Sequence, residues 1–282
     1  MSGVGTGRPL RRVLITNDDG VRGAGLAVLE GIARTLSEEV WVVAPERDQS
    51  GTSHSVSLHQ PLRLYSEDAR HHVVSGTPSD CVLLAVEHLM REAPPDLILS
   101  GVNRGGNLGD TVAYSGTVGA AMSGLLLGIP SIALSQSFRD PDTVRWSTAA
   151  QLGPSLLAEL TRRGWPEDVC LNVNFPDLEP DRVNGVRFCR TSRGGISGVT
   201  VDARIDSRGQ PYFWLGFRHA SHRVTAVDSD VDTLRRGFIA ISPLHFEHSV
   251  DALWAQLATD LSDQLRRPPQ TLGQGQDPSQ SD

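Results

Sequence analysis

The chain has 282 residues, 39% apolar and 21% charged, with a net charge of −7, which is enough apolar chain for one large core or two small ones. The negative balance argues against broad binding to duplex nucleic acid, whose phosphates it repels, and no run approaches the roughly 20 apolar residues of a membrane span. All 26 basic residues are arginine, which removes every enzyme class that relies on a Walker, ATP-pairing or Schiff-base lysine.

The Gly-rich stretch Met1 to Pro9 lacks the apolar segment of a secretory signal, so a cytosolic protein is expected. Cys81, Cys170 and Cys189 are odd in number, widely spaced and in apolar settings, and read as reduced core residues.

The apolar run Val13 to Thr16 stops on Asn17-Asp18-Asp19-Gly20. It reads as a buried strand that delivers Asp18 and Asp19 to its carboxyl end, the edge of an open α/β sheet where ligands bind. Two ionised carboxylates so close repel each other unless a cation lies between them. A divalent metal site is the first expectation; a strand-to-helix turn with a capping Asp is the alternative.

Leu26, Leu29, Ile32, Ala33 and Leu36 then fall at helical spacing, and Val40 to Ala44 forms a second strand before Pro45. Thr77-Pro78-Ser79-Asp80 predicts a helix start leading into Cys81 to Met90. Leu97 to Leu99 is a strand, Ser115 or Gly116 opens a helix that ends near Gly128, and Ser131 to Leu134 is a strand. Leu152 to Leu160 is helical and Val169 to Val173 a strand. The alternation predicts an α/β fold, a three-layer Rossmann-like parallel sheet.

Beyond Val186 the segments Val186 to Cys189 and Tyr212 to Phe217 predict a β-hairpin appendage, Phe238 to Ser242 a returning strand, and Leu253 to Leu265 a C-terminal amphipathic helix. We divide residues 10–265, a single domain, into a core (10–185), a β-rich appendage with the returning strand (186–249) and the helix (250–265); the polar tail 266–282 is expected to be disordered.

Loops after three strands converge on Asp18 and Asp19 in a right-handed parallel arrangement. The Ser50 hydroxyl and Asn103 amide are candidate further ligands, and carboxylates with neutral oxygens suit Mg²⁺ or Mn²⁺ better than zinc. Taken singly, both are also ordinary turn residues. Tyr114-Ser115-Gly116-Thr117-Val118-Gly119 sets small residues and hydroxyls at a helix N-terminus, which favours an anion or, read plainly, is a Ser/Thr cap. The pairs His219/His222 and His245/His248 lack a third ligand, and His71, His72 and the Glu46-Arg47-Asp48 cluster read as solvated groups.

Asn17-Asp18-Asp19-Gly20, the Pro45 to Ser53 loop, Gly76 to Cys81, Ser100 to Gly119 and Asn172-Val173-Asn174, in that order, resemble the SurE family of survival-protein nucleotidases. The resemblance implies a metal-dependent phosphatase acting on nucleoside 5′- and 3′-monophosphates, with Asp18, Asp19, Ser50 and Asn103 holding one divalent ion per subunit. It also implies homodimers or homotetramers with C-terminal exchange. The chain departs from the family pattern at Asp206-Ser207-Arg208-Gly209 and at Asp228-Ser229-Asp230.

On this reading the metal activates water for in-line attack on phosphorus, with Asp18 and Asp19 as catalytic residues, while Asn107, Ser115, Gly116 and Thr117 bind the phosphate oxygens. Short polyphosphate is a possible side substrate, and a non-catalytic nucleotide sensor the alternative. A dinucleotide oxidoreductase is a poor match because no Gly-x-Gly-x-x-Gly follows the first strand.

Overall fold

The computed structural model describes residues 10–193, 196–219 and 226–246. Strand β1 (Arg12–Thr16) lies in the interior of its sheet, and its alternation puts Val13 and Ile15 on one face and Leu14 on the other. Both faces are covered, so all three side chains are fully buried. Each contributes roughly 1.5–3 kcal/mol by leaving water.

The elements continue with α1 (Ala24–Leu36), β2 (Glu39–Pro45), β3 (Leu64–Ser66), β4 (His71–Val74), α2 (Pro78–Leu84), β5 (Leu97–Arg104), α3 (Gly116–Leu126), β6 (Ser131–Gln136), α4 (Trp146–Arg163) and β7 (Cys170–Phe175). Then follow β8 (Val186–Phe188), β9 (Ile196–Ile205), β10 (Pro211–His219), α5 (Asp230–Arg235) and β11 (Ile239–Leu244). Nine strands form one mostly parallel sheet in the order β3-β4-β2-β1-β5-β6-β7-β11-β8. Only β3 and β11 run against their neighbours β4 and β7.

Leu26, Leu29 and Ile32 of α1 and Leu157 of α4 cover one face of the sheet, while Cys81 and Val82 of α2 and Val118 and Met122 of α3 cover the other. This is the three-layer α/β fold that the alternating pattern predicts. The Thr77 start is a capping box: its Oγ1 accepts from the Asp80 N–H at 3.1 Å, and Asp80 Oδ2 accepts from the Thr77 N–H at 2.9 Å. The helix is α-helical to Leu84 and continues as a π-helical turn over Ala85–Leu89.

Several expectations are corrected. His71 and His72 are not solvated loop groups but lie in β4, and His72 is 5% exposed because it stacks on Trp41 of the neighbouring strand β2, ring centroids 5.8 Å apart. Val186–Phe188 does not build the hairpin; it pairs with β11 at the edge of the main sheet. The hairpin is β9 with β10, and β9 escapes periodicity because both its faces are largely exposed. Residues 100–104 are strand and not loop, since β5 resumes its pairing with β6 at Asn103 opposite Ser135 after a bulge. The predicted C-terminal helix and tail lie outside the described residues. No helix among them is long and apolar enough to cross a membrane.

Candidate metal and phosphate site

The sheet order puts β1 between β2 and β5, so the three loops expected to converge do leave adjacent carboxyl ends. Asp18 is 3% exposed. Its Oδ1 accepts from the Thr117 hydroxyl at 2.6 Å and its Oδ2 from the Thr117 N–H at 3.0 Å. The carboxylate thus abuts the N-terminus of α3. Burial pushes Asp18 up to about 6, opposed by the Thr117 hydroxyl and reinforced by the neighbouring Asp19 charge.

Asp19 is half-buried, and its Oδ2 accepts from the Arg104 N–H at 3.0 Å. Desolvation raises its pKa, the Arg104 N–H opposes this, and the Asp48 charge adds to the rise. Both carboxylates are therefore held with their charge under-compensated by protein, which is the state that a cation relieves.

Asn103 donates through Nδ2 to the Gly105 carbonyl at 2.9 Å, and no described residue donates to its amide oxygen. One residue before Asp18, Asn17 donates to the Gly20 carbonyl at 2.8 Å while its Oδ1 is buried with no partner among the described residues. Ser50 sits exposed in a turn fastened one residue earlier, where the Gln49 N–H donates to the Asp18 carbonyl at 2.7 Å. The same loop is fixed at Ser53, whose hydroxyl donates to the Ala113 carbonyl at 2.7 Å, and at Ser57, whose N–H donates to Asp80 at 2.9 Å.

These residues fit a hard divalent cation: two carboxylates, a hydroxyl and an amide oxygen, all oxygen donors. Among the described residues no cluster of three or more His, Cys, Asp or Glu offers a metal site, so an ion here draws on neutral oxygens as well.

The candidate anion end is built by α3. Ser115 is its N-cap, with Oγ accepting from the Val118 N–H at 3.1 Å, which leaves the Ser115 O–H to donate elsewhere. Gly116 has no room for a side chain: a Cβ would lie 2.9 Å from Asp18 Cβ and 3.0 Å from Thr52 Oγ1. The Thr117 hydroxyl and N–H are both engaged by Asp18, unlike the open phosphate donors expected of them. Asn107, 6% exposed, donates from Nδ2 to Ser135 Oγ at 2.9 Å, leaving its second amide N–H.

A model of the family described as survival protein SurE matches residues 13–197. The chain belongs to the SurE family. It is similar to 5′-nucleotidase SurE 1 of Burkholderia lata, with 49% identity over 90% of this chain and 98% of that protein. It is also 50% identical to 5′-nucleotidase SurE of Brucella canis over 89% of this chain and 98% of the relative. The crystal structure of the SurE protein from Aquifex aeolicus matches with a TM-score of 0.75 at 33% identity, covering 89% of this chain and all of that one.

In this SurE chain the structure adds residues to which the sequence reading gave no role. Tyr114, one residue before the cap, meets Phe217 of β10 with ring centroids 5.0 Å apart, and both are exposed. A cleft of about 670 Å³ opens beside Asp19, bounded by Gly23, Asp48, Arg104, Asp142, Thr143 and Trp146. Neither feature is local in sequence, so spacing could not reveal it. Asn172 and Asn174 of β7 reach the Asn107 peptide; the Asn172-Val173-Asn174 motif is part of the family resemblance, but which loop it holds is visible only in the fold.

Proposed function

We propose that this chain is a metal-dependent nucleotidase that hydrolyses nucleoside 5′- and 3′-monophosphates to nucleoside and phosphate, with short polyphosphate as a side substrate. The observation that carries the reading is the contact of buried Asp18 with the α3 N-terminus. It would set an oxygen-lined cation position against a group of anion donors, the pairing a phosphate ester requires. The names of the similar proteins from Burkholderia lata and Brucella canis support it.

Asp18, Asp19, Ser50 and Asn103 would hold one Mg²⁺ or Mn²⁺. When bound, such an ion polarises a phosphoryl oxygen and acidifies a coordinated water. The chain's own part is binding and orientation. The Ser115 hydroxyl, the Gly116 N–H and the Asn107 amide donate to non-bridging oxygens, where negative charge is stabilised as the ester bond breaks. The α3 dipole adds to this. Thr117 fixes Asp18 in rotation, and the Arg104 N–H does the same for Asp19.

The exposed Tyr114–Phe217 pair beside the phosphate end gives a base an aromatic face to stack on. The exposed Phe213, Trp214 and Leu215 of the hairpin suit the contact of a homodimer or homotetramer, since patches of this kind are covered in stable proteins.

The test is phosphate release from a panel of 5′- and 3′-nucleoside monophosphates with Mg²⁺, with Mn²⁺ and with EDTA, in native protein and Asp19→Asn. Metal-dependent turnover lost in the variant supports the reading. Nucleotide binding without any release by metal-loaded protein overturns it in favour of a sensor.

A further inference from the structure

The loop that carries Asn107 is held by three buried side chains from outside it. Asn174 Oδ1 accepts from the Asn107 N–H at 2.8 Å, and Asn174 Nδ2 donates back to the Asn107 carbonyl at 3.1 Å. Asn172 Nδ2 donates to the same carbonyl at 2.9 Å. Two residues on, Asp230 Oδ2 accepts from the Gly109 N–H at 2.6 Å. Asn172, Asn174 and Asp230 are all fully buried.

Burying such groups costs free energy unless their hydrogen bonds are made; the Asn174 amide and Asp230 Oδ2 find partners on this one short loop, whereas of Asn172 only Nδ2 does, its Oδ1 being buried with no partner among the described residues. Apolar side chains on β7 would have packed the sheet more simply. Leu171, Val173 and Phe175, the alternate residues, do so on the other face. The register extends the grip: Ser135 of β6 lies opposite Asn174 of β7, and Ser135 Oγ receives the Asn107 side chain. Backbone and side chain of Asn107 are thus both fixed from neighbouring strands.

Asp230 reaches the loop from the N-terminus of α5, where its Oδ1 also accepts from the Val231 N–H at 2.8 Å. Its own N–H donates to the Arg190 carbonyl at 2.9 Å. One end of the loop is therefore tied to the sheet and the other to the segment preceding the returning strand β11.

We propose that Asn174 and Asp230 are positioning residues for phosphate, acting through the Asn107–Gly109 loop to aim the Asn107 amide and the chain that leads to Ser115. Neither touches substrate. The inference rests on the nucleotidase reading for its substrate, and its geometry stands on the hydrogen bonds above. Loosening the clamp disperses the orientation of donors that must meet developing charge, a loss on the order of 10- to 100-fold in rate.

The experiment compares native protein with Asn174→Ala, Asn174→Asp, Asp230→Ala and Asp230→Asn. Three quantities are read: kcat and KM on a nucleoside monophosphate, the affinity for inorganic phosphate by calorimetry in saturating Mg²⁺, and the affinity for Mg²⁺ alone. The Asp and Asn replacements keep an acceptor for the loop N–H and guard against variants that do not fold. The expected result is weaker phosphate binding and lower kcat/KM in the alanine variants, partial recovery in the conservative ones, and unchanged Mg²⁺ affinity. Folded variants with native kcat, KM and phosphate affinity overturn the inference while leaving the nucleotidase reading intact. Mg²⁺ affinity that falls in step with turnover also overturns it, because the loop would then act on the ion. Native protein that neither turns over substrate nor binds phosphate overturns both.

Discussion

The Thr117 side chain and backbone together grip a single carboxylate, that of Asp18, at 2.6 and 3.0 Å. The threonine thus couples the proposed cation side of the site to the first turn of α3. Thr117→Val keeps the shape and removes the hydroxyl donor, leaving one Asp18 oxygen buried without that bond. The expected outcome is a loss of about 1–3 kcal/mol in stability, read by chemical denaturation, with a fall in kcat/KM as Asp18 loses its fixed rotamer.

Substitution at the glycines separates close approach from helix propensity. Gly116→Ala drives a Cβ to 2.9 Å from Asp18, so despite the better helix former the protein is expected to lose about 1–3 kcal/mol and most of its activity. At Gly31 of α1 an added Cβ would meet nothing within 4 Å, and Gly31→Ala is expected to stabilise by about 0.5–1 kcal/mol. Thermal denaturation of the pair checks both signs.

Chelation provides a third test. A ligand that binds only the folded chain raises its melting temperature, so Mg²⁺ or Mn²⁺ added after EDTA dialysis should raise the Tm of native protein. The same addition to Asp19→Asn should raise it less or not at all. An equal shift in both proteins would place the ion elsewhere.

Base recognition is tested at Phe217. Phe217→Ala is expected to lower kcat/KM for a nucleoside monophosphate on the order of tenfold, the scale of one base stacking on one ring. Ribose 5-phosphate, which has no base, should be affected little. A parallel loss on both substrates would make the aromatic pair a support for Tyr114 and not a base platform.

The pH dependence of stability should carry a signature from His71. Its ring meets Asp68 through Nδ1 at 2.9 Å and Glu30 through Nε2 at 2.9 Å. Partial burial opposes the charged ring, but the two carboxylates outweigh it and raise the pKa above its ordinary value. The folded state therefore holds this proton more tightly than the unfolded state. Its stabilisation is fully present below about pH 6.5 and is lost as pH rises through the raised value. His71→Asn should lower the Tm more at pH 5.5 than at pH 8.5; an equal drop at both would show that charge plays no part.

Legibility in the sequence followed how local each signal was. Thr77 with Asp80, Ser115 before Gly116, and the run ending at Asp18-Asp19 could be read because the cap or strand that they specify lies within a few residues. His72 could not: its burial comes from Trp41 on another strand, and the polar text around residues 67–72 hides β4. Val186–Phe188 read correctly as strand and wrongly as hairpin, since a three-residue run does not name its partner. Asp230 follows Ser229, whose side chain caps α5 by accepting from the Asp232 N–H at 3.2 Å; neither that short helix nor what the buried carboxylate reaches was predicted, and the second could not be, because its partner lies in a distant loop.

The separation between Gly109 and Asp230 is 121 residues. At the ordinary pace of translation that is a delay on the order of ten seconds. A nascent chain thus exposes the Asn107 loop well before the aspartate that holds it has been made, and a ribosome stalled anywhere in that interval carries a chain with β1, β2 and β5 already synthesised and the Gly109 end of the loop untethered. The clamp is consequently a property of the late polypeptide, absent from the earlier synthesis intermediates by the order in which the chain emerges.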